Sequence, residues 1–462
     1  MTSTEPTWIT SIFGACLGTL VGASMMMPVH ADQTAFDFGT PELIPLPENL
    51  SPTCLELSDR DGDGDLDAVI ASRSTDHRII LLDGGPGGSL EVVGQLEAPN
   101  QTDWVETGDL NGDGHLDLVA GVRGTAGLIA IYDGDGKGSF IDKPLLLSAG
   151  REIRCLRLED LDGDGSLDIL ATAHRSEEII IYKGDGTGGF SFVERFRLAP
   201  WKNGNVFPQS LYTADIDEDG NPDTLSVSIG AGSVHIAMGV GDGSMKNSRA
   251  WVTPKVGGIT GGSAYLSIED FDSDGRVELI APQTTWGQQW FVLFEIDENG
   301  SVEGTRNIMA SPHGISWFSE TGDFDGDGDP DLCIGHALPG VVVFMENTTE
   351  PGGETTFNEP QWFFNGEFIR HAVARDIDGD GDQDLLALDY TGDQILLFRN
   401  GSTDGFLANG GTEGSKPPER RIPPELEKLD GPQLLQRLAS MDAAEIRSLS
   451  DDDERSEEGE GR

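Results

Sequence analysis

Positive charge is scarce in this chain. Thirty Lys and Arg residues stand against 81 Asp and Glu, for a formal net charge of −51 over 462 residues. A surface of that sign repels phosphate backbones, which excludes nucleic acid as a partner. Catalytic signatures are missing: there is no G-x-S-x-G, no H-E-x-x-H, no P-loop and no dinucleotide fingerprint. The expectation is therefore a protein that is not an enzyme. Long apolar runs are missing apart from one, "WITSIFGACLGTLVGASMMM" at 8–27. It is followed by "VHA", ending at Ala31, a small-residue cleavage pattern. No Lys or Arg precedes it, only Glu5. Residues 1–31 read as a signal peptide, or as an uncleaved membrane anchor given a run of about 20 residues, or as a misplaced start. The first two readings put the rest of the chain outside the cytoplasm: secreted, periplasmic or at the cell surface. Cys16 is a poor lipidation site, because most of the apolar run follows it.

Aspartate is what the chain has in excess, and it falls in a pattern. "EDLDGDGSLDILATAHRSEEIIIYKGDGTGGF" at 159–190 places Asp160, Asp162, Asp164 and Asp168 within nine residues. Four carboxylates so close repel one another unless a cation lies between them. The opening D-x-D-x-D-G is shared with EF-hands, but an EF-hand needs a Glu at position twelve and flanking helices. Position twelve here is Ala171, and the flanks "LDILAT" and "IIIYKG" read as strands. This spacing predicts a strand–loop–strand calcium site. Its ligands would be side chains at positions 1, 3, 5 and 9 and a backbone carbonyl at position 7. A Gly at position 6 permits the turn.

The loop recurs seven times, at a mean period of roughly 53 residues. The side-chain ligands of the first are Asp59, Asp61, Asp63 and Asp67, and of the second Asp109, Asn111, Asp113 and Asp117. Asp160, Asp162, Asp164 and Asp168 form the third, and Asp215, Asp217, Asp219 and Asp223 the fourth. The fifth has Asp270, Asp272, Asp274 and Glu278. The sixth has Asp323, Asp325, Asp327 and Asp331, and the seventh Asp376, Asp378, Asp380 and Asp384. The position-7 carbonyls belong to Asp65, His115, Ser166, Asn221, Arg276, Asp329 and Asp382. Loop four carries Glu218 in place of a Gly but keeps Gly220 and is expected to bind. Loop five departs furthest, with Ser273 for Gly, Arg276 and a longer Glu278. The expectation is six or seven Ca²⁺ ions, and seven would return +14 to the net charge.

Each repeat also holds an apolar run after the loop and a second run such as "RIILLDG" or "QILLFRN", often followed by a Gly-rich hairpin and then a fourth strand. Four strands per repeat and no helix predict an all-β, seven-bladed β-propeller. Residues 36–46 align with the fourth strand that precedes later loops, while the last repeat lacks one. The N-terminal strand is therefore expected to complete the last blade and close the ring by strand exchange. With its DxDGDGxxD loops and G-x-G-x-F turns (Gly136 to Phe140, Gly186 to Phe190), the chain resembles the FG-GAP/VCBS repeats found in integrin α-subunits and many bacterial surface proteins. The resemblance spans roughly 36–406. It implies a calcium-stabilised propeller used in extracellular recognition or adhesion, and it names no ligand.

The domain reading is 1–31 as the leader, 32–408 as the propeller, 409–424 as a linker and 425–462 as short helices with an acidic disordered end. Leu434, Leu435, Leu438 and Met441 have helical spacing, with Ser440 as a cap for a second helix. Cys54 and Cys155 occupy one position in blades one and three, too far apart to bond, and Cys333 lies in an apolar strand. All three read as small buried residues. Trp104 and His371 share the Cys54 position and could fill the inner layer.

On the face opposite the calcium loops, the connecting segments gather cations and aromatics: Arg73, Arg123, Arg154, His174, Arg175, Trp201, Lys202, Trp286, His313, Trp317, His336, Arg370 and Tyr390, with His77, Arg78 and Arg151 nearby. Arginine forks suit carboxylate and sulfate groups, and aromatic faces suit sugar rings. The same residues could instead pair with neighbouring acids and pack between blades. The functional expectation is a monomeric propeller that binds an anionic glycan or a protein partner. The alternatives are a scaffold that recruits through its tail, and a polysaccharide lyase or hydrolase.

Overall fold

A computed structural model describes residues 38–198, 206–229, 232–252, 255–256, 259–260, 264–283, 289–311, 315–338 and 340–401, and, further on, 426, 429, 431–441 and 445–446. The leader, Trp201, Lys202, Trp286, His313 and the linker lie outside the described residues. Seven four-stranded antiparallel sheets follow one another along the chain. In the first, Pro52–Ser58, Asp67–Ser72, Arg78–Gly85 and Ser89–Glu97 lie side by side in chain order. The second strand of this blade, "DAVIAS", is buried at every position, as are "DLVAGV" at Asp117–Val122 and "DILATA" at Asp168–Ala173. Strands covered on both faces need continuous small or β-branched apolar residues, which is what these runs supply. The outermost strands face water on one side, and Val93, Leu145, Leu146 and Phe192 stay exposed there.

The seventh sheet closes the ring as the sequence predicts. Its strand order is Glu42–Pro45, Gln394–Phe398, Asp384–Asp389 and Ile369–Arg375, so its outer strand comes from the other end of the propeller sequence. Leu43 pairs with Leu396 and Ile44 with Ile395. Ile44, Leu46, Leu50 and Leu55 pack into one core with Leu388, Ile395 and Leu397. The Asp393 carboxylate accepts the Asn49 and Ser51 backbone N–H groups, each at 2.8 Å, which pins the crossing chain.

The first strands of neighbouring blades touch around the axis, including those of blades seven and one. Threonine hydroxyls of one blade donate to glutamates of the previous one: Thr107 to Glu56, Thr213 to Glu159 and Thr321 to Glu269. The axis itself is filled. The Trp104 ring meets His371 edge-on at 5.0 Å and stacks with Tyr265 at 6.1 Å. Nearer the Asp loops lies a charged layer in which Arg157 pairs with Glu106 and sits over the Trp104 and Tyr212 rings. Burial pushes Glu56 up to about 8 and Glu320 up to about 7 there.

Cys54, Cys155 and Cys333 are free and buried, and burial pushes the Cys155 thiol up to about 12. Beyond the blades, Gly431–Ser440 forms an α-helix with Leu434 and Leu438 buried. The Ser440 hydroxyl donates to the Arg437 carbonyl at 2.7 Å, and residues 442–444, which it is expected to cap, lie outside the described residues. Among the described residues no helix is long and apolar enough to cross a membrane.

The closing strand gives a clean pair of substitutions. Ile44→Ala, in the core, is expected to destabilise by about 2–4 kcal/mol, whereas Leu43→Ala, 55% exposed, should cost under about 0.5 kcal/mol. Denaturant unfolding of both variants measures this, and equal losses would contradict closure by this strand.

Candidate functional site: metal loops and axial mouth

Each Asp loop is organised around its first and ninth residues. In the third loop, Asp160 accepts N–H groups from Gly163 (2.8 Å), Asp164 (3.1 Å) and Gly165 (2.8 Å), so the backbone wraps its carboxylate. Gly165 has φ of +87°, a conformation that side chains resist. At the fourth position Glu218 and Ser273 adopt φ of +55° and +56° where other loops have Gly, a local strain in loops four and five.

The ninth carboxylate ties two strands together. One oxygen of Asp168 accepts the Leu161 N–H at 3.1 Å, inside the loop. Its other oxygen accepts the Gly184 N–H at 2.9 Å, at the end of the third strand. The same two bonds recur at Asp67, Asp117, Asp223, Asp331 and Asp384. Glu278 keeps the loop bond to Phe271.

Acid oxygens from positions 1, 3 and 9 lie within 4.8 Å of one another in loops one, three, four, five and six, a spacing that could hold a metal ion. Burial, with help from the neighbouring carboxylates, pushes Asp168, Asp223 and Asp384 up to about 6, and Asp331 and Glu278 up to about 8. An all-oxygen donor set that holds its protons this tightly suits a hard divalent cation. The fifth-position acids Asp63, Asp113, Asp164, Asp219, Asp274, Asp327 and Asp380 each accept the N–H two residues on, shaping the turn. His115 lies with its ring over Gly136.

One set of residues escapes the motif. The side chain at or just past the end of the third strand differs from blade to blade: Asp83, Asp133, Lys183, Met238, Glu295, Glu346 and Arg399. Lys183 bridges Asp162 and Asp164, and Arg399 contacts Asp378 at 3.0 Å. By contrast Glu346 helps raise Asp325, and Asp133 helps raise Asp117. Loops three and seven thus carry an internal cation, whereas loops two and six carry an extra acid. In six blades the signal was available as the residue just before a Gly or Asn near the strand's end, but its identity varies from blade to blade.

Loops also lock blade to blade. Gly188 donates to the Leu110 carbonyl of the preceding loop (3.1 Å), Asn347 to Phe271 (2.9 Å) and Asn400 to Phe324 (2.6 Å). Arg60 reaches the Gly138 carbonyl, and Arg399 reaches Gly88 across the ring closure.

At the opposite end, six first strands open with a register shift: Pro52/Cys54, Thr102/Trp104, Ile153/Leu156, Pro208/Ser210, Ser316/Phe318 and Ile369/His371. Such bulges re-aim a side chain, and here they release Asp103, Arg154, Trp317 and Arg370 to meet around the axis. Asp103 pairs with Arg73 (2.6 Å), Arg154 (3.2 Å) and Arg123 (3.3 Å). Despite its burial, these guanidiniums hold its carboxyl well below the usual range. Glu152 takes Arg175 at 3.0 Å and reaches Arg123 and Arg154. The Arg370 guanidinium lies over the Tyr390 ring at 4.9 Å and the Trp317 ring at 5.5 Å. Burial and nearby Arg73 push it down to about 10.

The structure therefore brings Arg73, Arg123, Arg154, Arg175, Arg370, Trp317 and Tyr390 together, but mostly beneath the surface. His174 is buried against Phe207 with its ring nitrogen 3.0 Å from the Pro208 carbonyl. His336 is buried beside Trp362, and burial pushes it down to about 3. Continuous apolar strands give no hint of which such residue is exposed. His371 belongs to the axial packing, and Arg78 pairs with Asp76 at the periphery.

Seven blades carrying repeated acidic loops define a propeller with candidate metal sites. The FG-GAP-like repeat model matches residues 59–120, 109–171, 160–226 and 270–334, and the chain belongs to that family. No curated protein matches the chain. Among solved structures, BBS1N in complex with ARL6DN aligns with a TM-score of 0.54 at 11% identity, over 80% of this chain and 99% of that one. Sqt1 of Saccharomyces cerevisiae aligns at 0.51 and 10% identity, over 79% and 99%. At these identities the likeness shows the propeller fold alone.

Lys183 offers a direct test of the loops. Calorimetric calcium titration should show Lys183→Met tightening one site severalfold, since the internal cation no longer competes. At pH 5.5 the same titration should show weaker binding than at pH 7.5, because ninth-position carboxyls that titrate near 6 or above must lose their protons to bind. Affinity unchanged by both would contradict metal binding at positions 1, 3 and 9.

Proposed function

We propose that the protein is a calcium-loaded recognition module acting outside the cytoplasm, presenting the face opposite its metal loops to an anionic glycan or a protein partner. Calcium is favoured by oxygen-only donors in loops that tolerate side-chain differences from blade to blade. It is abundant outside cells, and the apolar run at 8–27 is consistent with export. In this reading the ions are structural: each stiffens one end of a blade and adds its binding energy to folding.

The observation that carries the recognition reading is the polarity of the ring. An acidic chain places its acid loops at one end and gathers five arginines at the other. Positive ends on acidic proteins steer anionic partners.

A glycan array probed with the chain from Asp32 onward, in calcium and in chelator, tests it. The expected result is calcium-dependent binding to one class of anionic glycan without turnover. Release of unsaturated, ultraviolet-absorbing products would replace this reading with a lyase. Silence on the array, with a protein partner captured only when 417–462 is present, would replace it with a scaffold.

A further inference from the structure

We propose that the C-terminal helix, Gly431–Ser440, is a releasable cover on the axial mouth, which a partner of this face must displace. The proposal concerns how that face is regulated, and it rests on the recognition reading for what the cover excludes.

Burial is the first argument. Leu434, Leu438 and Met441 follow at spacings of four and three, which makes one stripe of a helix. Leu434 and Leu438 are 0% exposed and Met441 is 2% exposed, whereas Gln433, Arg437 and Ser440, each one position earlier round the helix, face solvent. A helix of 10 residues is marginal in water by itself. Its order and its buried stripe therefore come from what it is docked on. Leu426 before it and Ile446 after it are buried as well.

Placement is the second. The Tyr390 hydroxyl donates to the Met441 carbonyl at 3.3 Å. The body of the helix meets Ile259–Thr260, which pairs with Lys255–Val256 in a small hairpin. Tyr390 stands in the turn after the second strand of blade seven, Asp384–Asp389, and the hairpin lies in the connection from blade four to blade five. Each of these segments follows a strand that runs away from the metal loops, so both are on the opposite face. Two blades separate them along the shorter arc of the ring. The Tyr390 ring carries the Arg370 guanidinium at 4.9 Å, and the same guanidinium lies over Trp317 of blade six at 5.5 Å. The segment that bridges the hairpin to Tyr390 thus lies over the mouth, above the residues that the bulged first strands turn toward the axis. Tyr390 is 0% exposed although it stands in a turn on this face.

The tether is the third. Gly401, at the end of blade seven, lies beside Asp382 at the metal-loop end. Residues 402–425 join it to Leu426 at the other end. Twenty-four residues span up to about 80 Å, so the helix can leave its seat and return. A tethered occupant has a local concentration on the order of millimolar, which makes it an effective competitor even when its own affinity is modest. A short helix held by one apolar stripe opens more readily than a strand buried on both faces.

The test uses the calcium-loaded full chain as wild type, as Tyr390→Phe, and as the double variant Leu434→Asp with Leu438→Asp. Hydrogen exchange read by mass spectrometry should show amides of 434–441, and those around Tyr390 and Ile259, exchanging at least tenfold faster in the double variant than in wild type. Strands Asp67–Ser72 and Asp168–Ala173 should exchange alike in both. Tyr390→Phe keeps the ring and loses the hydroxyl, and should speed exchange of the helix alone. A synthetic peptide of residues 425–447, followed by fluorescence anisotropy, should bind the double variant saturably and wild type at least tenfold more weakly, because the tethered copy competes. Helix amides that exchange equally fast in wild type and double variant overturn the proposal, as does peptide binding that is equal in both or absent from both. Blade strands that lose protection in the double variant also overturn it, since the helix would then be part of the fold and not a cover. On the glycan array, stronger binding by the double variant than by wild type supports the cover and the recognition reading together. Equal binding keeps that reading and overturns the cover. An array silent for both, beside the expected exchange and peptide results, keeps the cover and removes the glycan reading.

Discussion

The ninth-position carboxylate is the interaction on which the rest depends. In six blades one side chain accepts a loop N–H with one oxygen and a third-strand N–H with the other. Those two bonds fix where the loop sits relative to the sheet. The loop then fixes the next blade, through carbonyls held by Gly188, Asn347 and Asn400. Such a carboxylate is buried and close to two others, and burial pushes Asp168, Asp223 and Asp384 up to about 6 and Asp331 up to about 8. A divalent cation would relieve the repulsion and stabilise the folded ring at the same positions. A metal held at these positions would draw on the same carboxylates that set the blade packing.

The two ends of the ring have opposite electrostatic tasks. At the loop end acids converge and basic side chains are few, so Lys183, Arg276 and Arg399 act as local counter-ions. At the other end bulges turn arginines toward one aspartate. Between them Trp104, Tyr265 and His371 pack against one another across the axis.

Much of this was legible in the sequence, for identifiable reasons. A nine-residue loop with fixed acid positions repeats without ambiguity, and its period gives the blade count. The alignment of 36–46 with later fourth strands gave the closure now seen at Ile44 and Ile395. Other features left no local trace. The bulge that re-aims Arg154 and Arg370 depends on pairing with the second strand, which no single segment encodes. Burial of His336 and Trp317 was hidden because strands buried on both faces show no alternation. Lys183 and Asp83 hold the same structural position but opposite charge, so no motif connects them. The charged axial layer of Glu56, Glu106, Arg157 and Glu320 is assembled from one residue per blade and becomes visible only in the ring.

The most direct measurement is the thermal unfolding of the full chain with saturating calcium and again after chelation, with bound ions counted by native mass spectrometry. If the loops hold metal and the metal holds the ring, six or seven ions are counted and chelation lowers the melting temperature by more than about 10 °C. An unchanged melting temperature, with no ions bound, would contradict the account at its base: the Asp loops would then be hydrogen-bonded turns and nothing more.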